Sequence, residues 1–398
     1  MRKAKTFLAH LPSNCMTASS RVLTTSIMKF RYNLAAFVLS LTALFAASFA
    51  QTAPTATPPP SDDDGDVIKV NSRLVVVPVS VTDSAGEPVT GLSTKDFKLT
   101  EENRAQVIDN VGSADVVPLE IALLIDVSGS VDPLFEFERA AAAQFLKSVM
   151  KPSDRATVFL IGESTQVVGP RSNADEAAAR LAAITKSGSQ TPTAFYDAVA
   201  AATQFLEKNA PQTSRKVILA LTDGEDNWSA STRSAETANY RDIDVNRLTT
   251  DTLNKIAGRT DAAHRKAQAR ITRDIQNADT VFYAINPAGA SYKLNKISLR
   301  AQTGLQAFAD QTGGTAFLPN FAPVDTKDAL QNSGNAKRNS ETLARIFKRL
   351  ENELRAQYLV QYYSDADYPR DKFVKVNVSL QTPAGRTLRA REGYFVKN

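Results

Sequence analysis

The sequence predicts an α/β fold: a doubly wound, mostly parallel sheet flanked by N- and C-terminal β segments that pack together as one β-sandwich. Three observations carry this. The unbroken apolar runs Ile121-Ala-Leu-Leu-Ile125 and Val217-Ile-Leu-Ala-Leu221 have the character of parallel strands buried on both faces. Around them, similar runs alternate with helical segments, the pattern of a sheet covered on both sides. The chain up to residue 112 and from residue 358 onward is instead rich in β-branched residues and turn signals. With 398 residues and 43% hydrophobic content the chain has material for two or three domains.

Residues 1–50 have the form of an export signal. They carry six basic side chains (Arg2, Lys3, Lys5, Arg21, Lys29, Arg31) and no acidic one. Without them, 41 basic side chains face 42 acidic ones, so the formal net charge of +5 belongs to the leader and argues for no nucleic-acid partner. Lys29 and Arg31 precede an apolar stretch at 34–49, and Ser48-Phe49-Ala50 places small residues before a cut at Gln51. The start is either Met1 or Met28, the latter giving a signal of ordinary proportions. An uncleaved membrane anchor is the alternative, but the apolar run is short for a span of about 20 residues. The destination expected is the periplasm, the cell surface or the medium, with the membrane involved only through an uncleaved leader. No cysteine lies near the cut, which disfavours a lipoprotein.

The only cysteine, Cys15, and one of two histidines, His10, lie in that leader. The processed chain then has no disulfide, no thiolate and no Cys/His zinc site, and its single histidine is His264. In its helical context His264 reads as a solvated helix-face residue, so a Ser-His-Asp triad is disfavoured.

Residues 51–65, Pro/Thr-rich and ending in Asp62-Asp63-Asp64-Gly65, form an extended linker that cannot build a core. Strands are expected at 74–82, 97–100 and 106–111 in the N-terminal β segment, 66–112, with Pro78 marking an edge or bulge. The α/β domain spans 117–320, with strands at 121–125, 156–161, 216–221, 280–285 and 315–318. Its helices fall at 135–150, 175–184, 194–206 and 298–310. Residues 228–278 exceed what a strand-to-strand connection needs. One part is read as a helix on the sheet, and the rest, near 229–255, as an insertion beside the site. A connecting helix at 340–357 leads to the C-terminal β segment, 358–398, with strands at 358–363, 373–380 and 386–391. The two β segments are expected to pack as one sandwich of about seven strands, with two separate small β units as the alternative.

The chemistry lies in five short side chains: Asp126, Ser128 and Ser130 in Asp-Val-Ser-Gly-Ser, then Thr193, then Asp223 in Leu-Thr-Asp-Gly. All are oxygen donors. Asp126 and Asp223 follow apolar strands, and open α/β sheets bind ligands just past the carboxyl ends of such strands. Hydroxyls and carboxylates gathered there suit a small hard cation, Mg²⁺ or Mn²⁺, with waters completing an octahedron. Thr193 is preferred to Thr191 because it stands at an expected helix N-cap. The plainer reading is that the aspartates cap helices and the serines sit in turns. Glu225 and Asp226 are expected to cap or pair on the loop surface.

Asp126-Val-Ser-Gly-Ser130, Thr193-Ala-Phe-Tyr-Asp-Ala-Val199 and Leu221-Thr-Asp-Gly-Glu-Asp-Asn227 together resemble the three ordered motifs of von Willebrand factor type A domains, over about 117–320. The flanks, with Val79-Ser-Val-Thr-Asp83 and Arg391-Glu-Gly-Tyr394, resemble a bacterial group of exported proteins built around such a domain. The resemblance implies a Rossmann-like fold and a metal-ion-dependent adhesion site. There Ser128 and Ser130 would bind the cation directly, and Thr193 directly or through water. Asp126 and Asp223 would act mostly through bridging waters. With few carboxylates on the metal, it would accept one from a partner. One segment departs from the pattern: the threonine stretch is often Gly-rich, whereas here it reads Gly188-Ser-Gln-Thr-Pro-Thr193.

Three function classes follow. The first is a module that grips a carboxylate on another protein or surface polymer. The second is a structural component of the envelope whose metal only stabilises the fold. The third, a metal-assisted hydrolase, is disfavoured, because no nucleophile and base arrangement accompanies the motifs.

Overall fold

The computed structural model describes residues 72–128, 135–185, 192–241, 243, 248–287, 289, 295–324 and 326–397. The expected leader (1–50) and linker (51–65), Ser130 and Thr191 lie outside them. The chain opens with β1 (Arg73–Thr82), β2 (Phe97–Glu101), β3 (Arg104–Gln106) and β4 (Ile108–Ser113). The α/β part follows as β5 (Leu119–Asp126), α1 (Phe135–Val149), β6 (Arg155–Ile161), β7 (Gln166–Ser172), α2 (Ala174–Ala182) and α3 (Phe195–Asn209). It continues through β8 (Arg215–Leu221), α4 (Ala230–Tyr240), α5 (Thr250–Asn277), β9 (Thr280–Ile285), α6 (Lys296–Thr312) and β10 (Ala316–Phe317). The last elements are α7 (Ala329–Arg355), β11 (Tyr358–Ser364), β12 (Phe373–Leu380), β13 (Thr387–Ala390) and β14 (Gly393–Phe395).

The terminal strands form two four-stranded sheets, ordered β13-β1-β11-β4 and β14-β12-β2-β3. One core joins them: Val75, Val77, Val79 and Val81, alternate residues of β1, meet Leu99 of β2 and Val374, Val376 and Val378 of β12. The sandwich therefore has eight strands among the described residues rather than about seven. The three-residue strands β3 and β14 are too short to show alternation in sequence. β1 is not an edge strand, since it pairs with both β11 and β13. Pro78 fits because pairing with β13 begins only at Val79, so no hydrogen bond to β13 is lost at its missing N–H.

The central sheet runs β10-β9-β8-β5-β6-β7, parallel except for β7 at one edge. β5 is buried along its whole length, and its alternation sorts the two cores. Leu119, Ile121, Leu123 and Ile125 face α1, α2 and α7, whereas Ala122 and Leu124 face α3, α5 and α6. Each such leucine or isoleucine contributes about 1.5–3 kcal/mol by leaving water. From β5 the chain moves outward to β6 and β7, then returns to β8 on the other side of β5. The strand order thus reverses between β5 and β8, and their carboxyl ends open side by side, as at ligand-binding switch points.

Two helices differ from expectation. α7 begins at Ala329, well before residue 340, because the Asp328 side chain accepts from the backbone of Leu330 (2.9 Å) and Gln331 (3.1 Å). Its buried face includes Asn335 and Asn339, which bond to the carbonyls of Pro323 and Ala322, and these polar residues mask the helical period in sequence. The stretch near 229–255 contains α4, which packs on α5, and the first turns of α5 itself. His264 is not solvated: at 2% exposure it shares the buried face of α5 with Ala267, Ile271 and Ile275. Its imidazole lies against Tyr196, with the phenol oxygen 3.3 Å from Nδ1.

Candidate metal centre

Asp126 is the last residue of β5 and is 1% exposed. Its Oδ1 accepts from the Ser128 backbone at 2.9 Å, and the Ser128 side chain bonds to the same carboxylate. Its Oδ2 accepts from the Thr222 hydroxyl at 2.6 Å. Thr222 stands just past β8, and its Oγ1 in turn accepts from the Gly224 backbone at 3.0 Å. Gly224 has φ +78°, and a Cβ there would stand 2.7 Å from the Leu305 side chain, so only glycine permits this turn. Asp223 follows Thr222, and its Oδ1 accepts from the Glu225 backbone at 2.9 Å, an Asx turn that sets the carboxylate.

Thr193 reaches the same edge through the neighbouring loop. Its backbone N–H donates to Asn227 Oδ1 at 2.7 Å, and its carbonyl accepts from Asn227 and Trp228 at 3.0 and 3.1 Å. Ala194 N–H donates to the Gly162 carbonyl just past β6. The structure therefore places Asp126, at the end of β5, and Ser128, Thr193 and Asp223, on the neighbouring loops, at one end of the sheet. Thr193 is not the helix N-cap. That position is Ala194, which makes no side-chain cap, and the first turn of α3 is capped from outside by Asp226.

Asp226 is accordingly a buried residue rather than a loop-surface one. Its Oδ1 accepts from the Tyr196 backbone at 3.2 Å and from the Ser229 hydroxyl, and its Oδ2 from Thr232 at 2.7 Å. Asp197 reciprocates by accepting from Ala230 N–H at 2.9 Å, so the amino ends of α3 and α4 cap each other. Glu225 accepts from the Ser298 hydroxyl at 2.6 Å.

Sequence reasoning missed two residues. Thr222 reads as a strand residue until its hydroxyl is seen on Asp126. Glu138, in the first turns of α1, is 4% exposed, and its Oε1 has no hydrogen-bond partner. Burial first, then the charges of Asp126 and Asp223, push its carboxyl up to about 8. Phe135 and Glu138 share one helix face at i, i+3, but only the packing of α1 shows that this face buries the carboxylate.

Burial also raises Asp126, outweighing the donors from Thr222 and Ser128, and raises Asp226 against those from Ser229 and Thr232. Among the described residues no Lys or Arg forms an ion pair with Asp126, Glu138 or Asp226. Nor is there a group of three His, Cys, Asp or Glu side chains placed to hold a metal by themselves. The donor set is hydroxyls plus two aspartates, backed by buried carboxyls whose pKa is raised and which have no cationic partner. That chemistry fits a small hard divalent cation.

A doubly wound, mostly parallel sheet with these hydroxyls and aspartates at its switch point agrees with the fold that the sequence resemblance implies. Residues 121–225 match the model of the von Willebrand factor type A domain, and the chain carries such a domain. No curated protein matches the chain in sequence. Solved structures similar to it include a von Willebrand factor type A protein from Catenulispora acidiphila, at 12% identity and TM-score 0.39, over 82% of this chain and 74% of that one. An aerotolerance-related membrane protein from Bacteroides fragilis has 15% identity and TM-score 0.32, over 56% of this chain and 98% of that one. Proximal thread matrix protein 1 from the mussel byssus, with a zinc-occupied MIDAS motif, has 12% identity and TM-score 0.37, over 64% and 50%. At these values the likenesses carry no argument about function.

Proposed function

We propose that this chain is an exported, metal-ion-dependent binding module whose partner is a protein or surface polymer presenting a carboxylate. Ser128, Ser130 and Thr193, with Asp126 and Asp223, hold Mg²⁺ or Mn²⁺. The bound cation supplies a Lewis-acid position that an acidic group of the partner completes. The supporting observation is Asp126, buried, held by Ser128 and Thr222, and without a cationic side chain to balance it. Carboxylates in that condition are stabilised by a divalent ion and by little else nearby. Catalysis is not part of the proposal, and turnover of a generic phosphoester would overturn that exclusion.

A structural role in the envelope, with the cation serving only the fold, is the second reading, because Asp126 ties the end of β5 to the turn after β8 through Thr222. Calorimetric titration of Mg²⁺ and Mn²⁺ into chelator-stripped protein, with Ser128→Ala as control, decides first whether the site exists. One saturable site, lost in the variant, is the expected result; no heat from folded protein would end the metal reading. Partner capture with and without chelator then separates binding from structure, since a structural cation leaves capture unchanged.

A further inference from the structure

At the opposite end of the central sheet, the amino ends of β8 and β9 meet β1 and the C-terminal residues across a cleft of about 450 Å³. That volume lies in the range of small-molecule sites, about 300–1,000 Å³. Its walls include Leu74, Val76, Val281, Leu359 and Phe395. Five cationic residues also line it, Arg73, Arg215, Lys216, Arg391 and Lys397, against one acid, Asp279.

Asp279 is already shared by Arg391 at 2.8 Å and Lys397 at 3.3 Å. The other three cations have no carboxylate in ion-pair contact among the described residues. Arg215 donates to the carbonyls of Ala114 (3.2 Å) and Leu354 (2.8 Å) and to the Gln357 side chain, all neutral. Lys216, 6% exposed, donates only to the Ala278 carbonyl at 3.1 Å. Arg73 Nη1 and Arg391 Nε are buried with no hydrogen-bond partner at all. Buried cations are ordinarily paired, because an unpaired one forfeits its hydration without compensation. Apolar walls with unpaired guanidinium and ammonium groups complement a ligand with an apolar body and a negative head.

We propose that this cleft binds a small amphipathic anion, a carboxylate or phosphate on an apolar body, with Arg73 and Lys216 balancing the head. The site is separate from the metal centre and does not depend on the function proposed above. The test is calorimetry on the full chain in chelator, with octanoate, octyl phosphate and octyltrimethylammonium as probes. The expected result is one saturable site for an anion and none for the cation, the two anions distinguishing a carboxylate from a phosphate head. Arg73→Gln and Lys216→Met should each weaken binding tenfold or more.

The same Lys216→Met chain, ligand-free, should melt higher than the parent. It removes an unpaired buried charge, and the Ala278 carbonyl keeps the Thr280 hydroxyl as donor at 3.3 Å. Equal uptake of the cationic probe, no uptake of either anion, or anion affinity unchanged in both variants overturns the proposal. So does a lower melting point for Lys216→Met with affinity retained, which assigns Lys216 to the fold alone. Arg73→Gln, on the first residue of β1, keeps the test open if Lys216→Met fails to fold.

Discussion

Replacing Thr222 by valine removes one hydroxyl and almost no volume, and it isolates what holds Asp126. That hydroxyl, fully buried, donates to Asp126 Oδ2 at 2.6 Å and accepts from Gly224 N–H at 3.0 Å. Losing a hydrogen bond to a charged group costs about 1.5–3 kcal/mol, and a buried amide left without an acceptor costs about 1–3 kcal/mol more. Relaxation of the Gly224 turn recovers part of this, so a loss of about 3 kcal/mol is expected. At roughly 2–4 °C per kcal/mol for domains of 150–250 residues, the midpoint falls by about 6–12 °C. The freed carboxylate also turns from its set direction, so Mg²⁺ affinity should drop at least tenfold, about 1.4 kcal/mol. Thermal melting in chelator and calorimetry with Mg²⁺ read the two effects separately. Thr222→Ser keeps the hydroxyl and should retain the affinity. A valine variant as stable and as tight-binding as the parent would refute the reasoning.

The other predictions concern buried titrating groups. Glu138 is raised from 4.5 to about 8, so metal-free protein has this contribution intact below pH 4.5 and loses it as pH rises towards 8. The limit is about 5 kcal/mol at about 1.4 kcal/mol per unit, and urea midpoints of Glu138→Gln in chelator should show a flatter profile than the parent; parallel profiles would contradict this. His264 is lowered from 6.5 to about 4, by burial and then by Arg300, so the unfolded chain takes up its proton first. Stability from a neutral His264 is complete above pH 6.5 and is lost as pH falls towards 4, by at most about 3 kcal/mol. His264→Gln should remove that part of the acid sensitivity, and an unchanged difference between pH 7 and 4.5 would count against it. In the sandwich, the buried Glu101 carboxylate accepts from Tyr362, Ser364 and Tyr394, each at 2.8 Å. Glu101→Ala leaves three buried hydroxyls without their acceptor and should cost more than about 3 kcal/mol by denaturant titration.

Much of the site was legible because its residues follow the strongest local signals in the chain. Asp126 and Asp223 mark where the apolar runs of β5 and β8 stop, and a run buried on both faces shows itself without any partner. The serine spacing after Asp126 is equally local. Glu138 was not legible, because a carboxylate near a helix start ordinarily reads as favourable to the helix dipole, and only packing puts this one against two aspartates. His264 misled for a related reason: its neighbours Asp261, Arg265 and Lys266 are polar, and burial came from α5 lying along the sheet.

The sequence by itself determined the alternation of strands and helices, the oxygen-only character of the candidate site and the β-rich nature of both ends. These follow from side-chain chemistry and short-range periodicity, which need no knowledge of partners. Tertiary structure alone decided that Thr222 locks Asp126, that Asp226 caps α3 from a distant loop, and that β1 pairs with β11 and β13 from the far end of the chain. It also decided which cations are left unpaired beneath β8 and β9. Hydrogen-bond partners and burial depend on residues up to nearly the whole chain apart, and no local window holds that information.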